Sequence, residues 1–408
     1  MKKLLQQKRP GTAVPLALIA IMILLAMGVG LLGLGANARI YAARTSSVIA
    51  ARCAADAGLT MALFEMNNSL QTKPWNLAAL PKATDVKLPY SDAVCSYEVT
   101  GDIAGGYVAT STGTFGSAQR TVSANLKLKG LWDNAILTKA DLILKSGTNL
   151  DAYNSADPLD SETAADIATQ SIADSAVTLN SGVRVSGDVR VGRGGNPDTT
   201  IKDLGATVDG WKYAMPENDH LPEVDPPVLF DIGTDISAKG ATVTVTPADS
   251  GTYTAIALKS TGDPGILEID GGHVELHITG DIDLGNACEI IVRDGSSLKL
   301  YVDGDIACDN GSTIGTEDAS RNAKTLMLYS TGEGLQDFNL KAKNEWVGVI
   351  YAPNADVTLY AGGDLYGASI ANNFELKSGG DYHYDRALSN VSPDDEGVRF
   401  VFTKWNEK

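Results

Sequence analysis

Between Arg9 and Arg39 the chain carries no charged residue, and the stretch from Val14 to Gly35 is apolar almost throughout. That is longer than the core of a secretory signal, about 7–15 residues, and long enough to cross a bilayer as a helix. The next segment, "ANARIYAARTSSVIAARCAADAGLTMALFEM" (36–66), is rich in Ala and lacks Pro. Within it Ile40, Val48, Ala51, Ala55, Leu59, Met61 and Leu63 recur near helical spacing. The pattern predicts one helix over residues 12–68, with a transmembrane part at about 14–36 and a water-facing remainder.

A different period follows. Residues 69–90 are interrupted by Pro74, Pro81 and Pro89 and read as a connection. The stretch 93–130 then alternates in three short apolar-polar runs, with turns at Gly105-Gly106 and Gly116-Ser117. Cys95, Tyr97 and Val99 share one face, and Val122, Ala124, Leu126 and Leu128 share another. Residues 69–132 are therefore expected to form a small antiparallel sheet packed on the helix. Cys53 on the helix and Cys95 on the first strand are placed either to form a disulfide or to sit as two small buried thiols.

From residue 133 to 390 the pattern repeats. "VELHITGDIDLGNACEI" (274–290) aligns with "LKLYVDGDIACDNGSTI" (298–314), so that Leu276 falls on Leu300, Ile282 on Ile306 and Ile290 on Ile314. "GVIYAPN" (348–354) matches "GASIANN" (367–373) in the same way. Alternating apolar residues with Gly, Asn and Asp corners at a period near 20 predict a solenoid, here a parallel β-helix. Propeller blades would need a period near 40 residues. Prolines at 216–227 predict an excursion over about 205–235, and 331–345 reads as a second. The pattern stops after Leu388, which leaves 391–408 as a tail or cap. The expected fold class is α+β: a long transmembrane helix with a small antiparallel sheet, then a parallel β-helix.

Composition narrows the partners. The 408 residues include 50 Asp and Glu against 33 Lys and Arg, and no long basic run follows the first nine residues. Duplex nucleic acid, which requires clustered cations, is excluded as an expected partner. Lys2, Lys3, Lys8 and Arg9 precede the apolar segment, which places the amino end in the cytoplasm and the bulk outside. Four cysteines are too few for a disulfide scaffold.

The short basic leader ending in glycine, the apolar segment that starts at once, and "AARCAADAGLTMAL" resemble the N-terminal region of type IV pilus assembly proteins of the PilX type. The resemblance covers residues 8–66. It implies a leader over 1–11, cut by a prepilin peptidase after Gly11, with Thr12 as the mature amino terminus. Major pilins of this kind carry a glutamate at the fifth mature position; here that position is Leu16, after Pro15. Lack of the acid is typical of minor or tip-type pilin-like proteins. "WVGVIYAPNADVTLYAGGDLYGASIANN" and "DYHYDRAL" resemble a domain of unknown function found joined to such N termini, which implies no activity.

Each chemical motif has an ordinary alternative. Gly28, Gly30 and Gly33 fit G-x-G-x-x-G, but within a membrane span they serve helix contact rather than a dinucleotide. His273, Glu275 and His277 point to one side of a strand, as zinc ligands or as an exposed face. Asp281 and Asp305, near Asp283 and Asp303, offer oxygen to calcium or simply make corners. No nucleophile elbow or phosphate loop is present, so no cofactor, no metal and no enzymatic activity are expected. The expected function is a pilin-like structural or assembly component of a type IV pilus or secretion pseudopilus, displaying its β-helix for adhesion. Its expected partners are the membrane, other pilins or assembly proteins, and a surface polysaccharide. The alternative is a membrane-tethered β-helix enzyme or binding module acting on polysaccharide.

Overall fold

The structure, a computed structural model, describes residues 13–76, 80–103, 105–342, 345–361, 363–377 and 380–407. Two units are present: residues 1–129 together with 399–408, and residues 130–398. A long apolar helix and a large β-rich unit give the α+β class.

In the first unit a single helix, α1, runs over Ala13–Ser69, 57 residues without a break. Nothing in its sequence stops it earlier, since the segment lacks Pro after Pro15 and is rich in Ala and Leu. Its buried residues are Ala51, Ala54, Ala55, Gly58, Leu59, Ala62 and Met66, a stripe at helical spacing confined to the last five turns. That stripe lies on strands β2 (Val94–Asp102), β3 (Gly106–Phe115) and β4 (Ala118–Lys129), and β1 (Lys82–Lys87) forms the edge of the same sheet beside β2. Each strand pairs antiparallel with the next.

The fifth strand of this sheet comes from the far end of the chain. Arg399–Glu407 pairs antiparallel with β4, Phe400 opposite Leu128 and Glu407 opposite Val122. The sequence reading assigned 391–408 to a tail or cap. What it lacked was a partner: "RFVFTKW" is a single short alternation whose inner face is defined only once β4 lies beside it. Phe400 is 2% exposed and meets Tyr107 edge-on at 5.5 Å. Asn67 at the end of α1 clasps its backbone, accepting from the Phe400 N–H at 2.7 Å and donating to the Phe400 carbonyl at 3.1 Å.

In the second unit all strand pairings are parallel among the described residues, arranged in a 22-stranded and a 4-stranded sheet. The repeats seen in the sequence are the registers of these sheets. Leu276 pairs with Leu300, Ile282 with Ile306, Ile290 with Ile314, and Gly348 with Gly367. Alternate residues enter one continuous core; Val274, Leu276 and Ile278 are fully buried while His273, Glu275 and His277 are not.

The pairing order differs from the chain order. Strand Ile136–Thr138 pairs with Ile167–Thr169, which pairs with Val189–Val191, which pairs with Lys212–Ala214. On its other side Ile136–Thr138 pairs with residues 369–371, from the last long strand, Leu365–Leu376. Beyond that strand lie, in order, Trp346–Ala361, Leu326–Ser330, Ser297–Val302, His273–Ile278 and Gly251–Tyr253. So the chain enters the middle of the sheet, runs to one end by residue 214, and crosses to the other end. From there it pairs its way back until Leu365–Leu376 and Tyr382–Asp385 join the first strands.

The crossing is the proline-rich stretch. It departs at Met215, whose N–H bonds the Val191 carbonyl, and ends where Asp231 bridges Thr252. Between these points Gln170 Nε2 donates to the Asp219 carbonyl at 2.5 Å and Tyr351 Oη to the Pro222 carbonyl at 2.6 Å. Two expectations change here. Thr207–Val208 and Lys212–Ala214 still belong to the sheet, so the first excursion starts later than 205. The second excursion, 331–345, contains strand Gln336–Ala342, paired on both sides, with Phe338 and Leu340 fully buried. Its alternation, Phe338-Asn-Leu-Lys-Ala342, is short and flanked by charge, which hid it.

Candidate functional site

The feature of this chain that bears most directly on function is α1, whose surface changes along the helix. Leu16, Leu24, Leu31, Leu32 and Leu34 are all at least two-thirds exposed. An apolar side chain left in water forgoes roughly 1.5–3 kcal/mol, so a naked surface of this size calls for a nonaqueous environment. By length and composition the helix is able to cross a membrane. Gly28, Gly30 and Gly33 have open space where a Cβ would be, so no dinucleotide cradle surrounds them. Gly11 and Thr12, the expected processing site, lie outside the described residues.

The second half of α1 is built for close approach. A Cβ on Gly113 of β3 would lie 2.1 Å from the Ala51 carbonyl and 2.4 Å from the Ala55 nitrogen. A Cβ on Gly58 would lie 2.2 Å from Ser111 Oγ. Helix and sheet are therefore in contact through glycine and alanine. At the margin, Tyr97 donates to Glu65 Oε1 at 2.6 Å; burial, and then the Glu65 carboxylate, push its hydroxyl up to about 12. Arg52 stands 3.4 Å from Glu407 and over the Trp405 ring at 5.2 Å, which ties the C-terminal strand to the helix.

The disulfide is not formed. Cys53 and Cys95 are free thiols, Cys53 exposed and Cys95 fully buried. At 100° per residue, a helix that turns Ala51, Ala54 and Ala55 to the sheet turns Cys53 away. Burial raises the Cys95 thiol, and Cys288 and Cys308 are also free and buried.

The histidine motif does not converge. His273 contacts Ser297 Oγ at 2.8 Å and Glu275 at 3.2 Å, whereas His277 turns to Asp303 at 3.0 Å. Glu275 is shared with Lys299 at 3.4 Å. The Gly-Asp corners serve the backbone: Asp281 Oδ1 accepts the Asp305 N–H, and Asp305 Oδ1 accepts the Asp337 N–H, both at 2.9 Å. These carboxylates tie each corner to the next, the second of the two roles the sequence left open for them.

Comparison with known proteins adds one match over the second unit. Residues 215–391 match a family model described as a domain of unknown function (DUF7305). The matched segment begins at the crossing and ends after the last strand of the parallel sheet. No curated protein matches the chain. Among solved structures the chain is similar to the competence-associated pilin ComZ from Thermus thermophilus, 14% identical, over 89% of this chain and 98% of that one. The TM-score of that superposition is 0.22, too low to carry an argument about shape or role.

Proposed function

We propose that this chain is a membrane-anchored, pilin-like structural component of a type IV pilus or a related secretion pseudopilus. The observation that carries the reading is α1: one unbroken helix, apolar and bare in its first half, packed on an antiparallel sheet through Ala and Gly in its second. An enzyme needs only a tether, and a separate span with a linker would provide it. A rigid rod continuous from membrane to sheet suits a subunit that packs by its helix and carries its load outward.

On this reading the leader ends at Gly11 and Thr12 is the mature terminus. Leu16, lacking the acid of main filament subunits, suits a minor subunit. The parallel registers at residues 236–385 support a β-helix, with one continuous apolar interior, as the display or adhesive module. On this reading the chain acts as a structural component rather than as an enzyme. Its amino end is cytoplasmic and its β-rich unit extracytoplasmic.

The test uses native membranes. The mature mass should correspond to removal of residues 1–11, and an epitope tag after Lys408 should be shaved by protease added to intact spheroplasts. A protected tag, or recovery of the native chain in the cytosolic fraction, overturns the proposal.

A further inference from the structure

Where the last strands of the second unit meet the first, three potential ligand atoms converge. One atom each of Asp364, Asp381 and His383 lies within 4.8 Å of the others. The register explains why. Leu365 pairs with Tyr382 and Tyr382 with Leu150, so Asp364, Asp381 and Asn149 form one column at the corner. Tyr366, His383 and Asp151 form the column two residues on.

Each member of the cluster is fixed by a hydrogen bond to a neighbouring strand. Asp364 Oδ1 accepts the Asp381 N–H at 3.3 Å, and Asp381 Oδ1 accepts the Asn149 N–H at 2.9 Å. His383 Nδ1 is held by Asp151 Oδ1 at 2.5 Å, and Asp151 Oδ2 accepts from Asn149 Nδ2 at 3.4 Å. The imidazole stacks on Tyr366, centroids 4.6 Å apart, with its side chain 19% exposed. His383 Nε2 then faces Asp364 Oδ2 at 3.9 Å, a separation that a shared ion at about 2.0–2.2 Å from each atom spans.

The other corners show what is particular here. Asp166 and Asp188 make the same backbone bonds, but the residue two beyond Asp188 is Arg190, ion-paired to Asp166 at 3.2 Å. Asp281 and Asp305 are followed in that column by Asp283 and Ala307. Only the 364–385 corner, among these, places a metal-competent nitrogen beside two carboxylates. A carboxylate on the far nitrogen of a ligating histidine is the arrangement that fixes tautomer and ring in metal sites.

We propose that Asp364, Asp381 and His383 Nε2 form a binding site for a divalent first-row transition ion of the zinc type, with Asp151 as the positioning residue. One nitrogen and two oxygens suit zinc better than calcium, which takes six to eight oxygens. With the Nδ1–H donated to Asp151, the neutral ring presents its Nε2 lone pair to the ion, and water completes the coordination. The ion would bridge strands Leu365–Leu376 and Tyr382–Asp385, close to the point where the second run meets the first.

The experiment titrates zinc chloride into the chelator-stripped full chain in detergent, read by calorimetry and by the thermal midpoint. Saturable binding of one ion with a rise in midpoint is expected. His383→Gln and Asp364→Asn should abolish both, and Asp151→Asn should weaken affinity 10- to 100-fold while leaving one site. His383→Arg, which copies Arg190, should fold and bind no zinc; it keeps the test decisive if the glutamine variant misfolds. Absence of saturable binding overturns the site. So does zinc binding that survives in both His383→Arg and Asp364→Asn, or preference for calcium over zinc.

Discussion

At the residue scale, two glycines set how near α1 lies to its sheet. Gly113 accepts the helix backbone at a distance no side chain tolerates. Gly113→Val should therefore destabilise the first unit by about 1–3 kcal/mol or more, measured by denaturant unfolding of the solubilised chain. Gly113 is not distinguishable from other glycines in the sequence, because the close partner, Ala51, lies far away in the chain. Asp203 is a second case. The hydrogen bond from Lys212, with backbone N–H groups of Ala206 and Gly205, pulls its carboxyl down to about 2. A depressed value stabilises the fold above the ordinary carboxylate range, and that contribution disappears as pH falls from about 4 to 2. Asp203→Asn should flatten the acid limb of a stability-pH curve in that window and lower stability near neutrality, where the ionised carboxylate contributes in full.

At the element scale, the long helix was legible because its apolar and alanine-rich segments carry their own propensity. The repeat strands were legible for another reason: the same pattern occurs again one register away, so Leu276 and Leu300 identify each other. Strand Gln336–Ala342 has only a short echo, with Asp337, Leu340 and Ala342 falling on Asp356, Leu359 and Ala361, yet Phe338 is fully buried between its neighbours. Phe338→Ala is expected to cost about 3–5 kcal/mol, as for a buried core aromatic, in denaturant unfolding of the second unit. A surface excursion would lose less than about 0.5 kcal/mol. The C-terminal strand was missed on similar grounds, since Phe400 gains its burial only from Tyr107 and the backbone clasp of Asn67.

At the scale of the whole molecule, the last strands of the second unit pair with its first. The Ser369 N–H bonds the Ala135 carbonyl, and the Lys139 N–H bonds the Ala371 carbonyl. Tyr382 Oη reaches the Ala135 carbonyl at 3.3 Å and Tyr384 Oη the Trp132 carbonyl. Contacts between residues so distant in sequence are slow to form, because loop closure precedes any reward. Pulse-labelled hydrogen exchange during refolding should show Ile136–Leu144 amides protected no earlier than those of 365–376. A chain ending at Met215 would leave Ile136–Thr138 and Leu142–Leu144 with an open edge, and should aggregate when the full chain does not.

By itself the sequence determined the membrane-length helix, the antiparallel alternation after it, and the 24- and 19-residue echoes that became parallel registers. These are local or self-similar patterns, and a chain displays them wherever it lies. Tertiary structure alone decided that the first strands lie mid-sheet, that the last residues complete the first sheet, and that His383 comes to rest between Asp364 and Asp151. Each of these joins segments with no common pattern, and their pairing is fixed by which open edge and which unfilled core remain when the rest has folded.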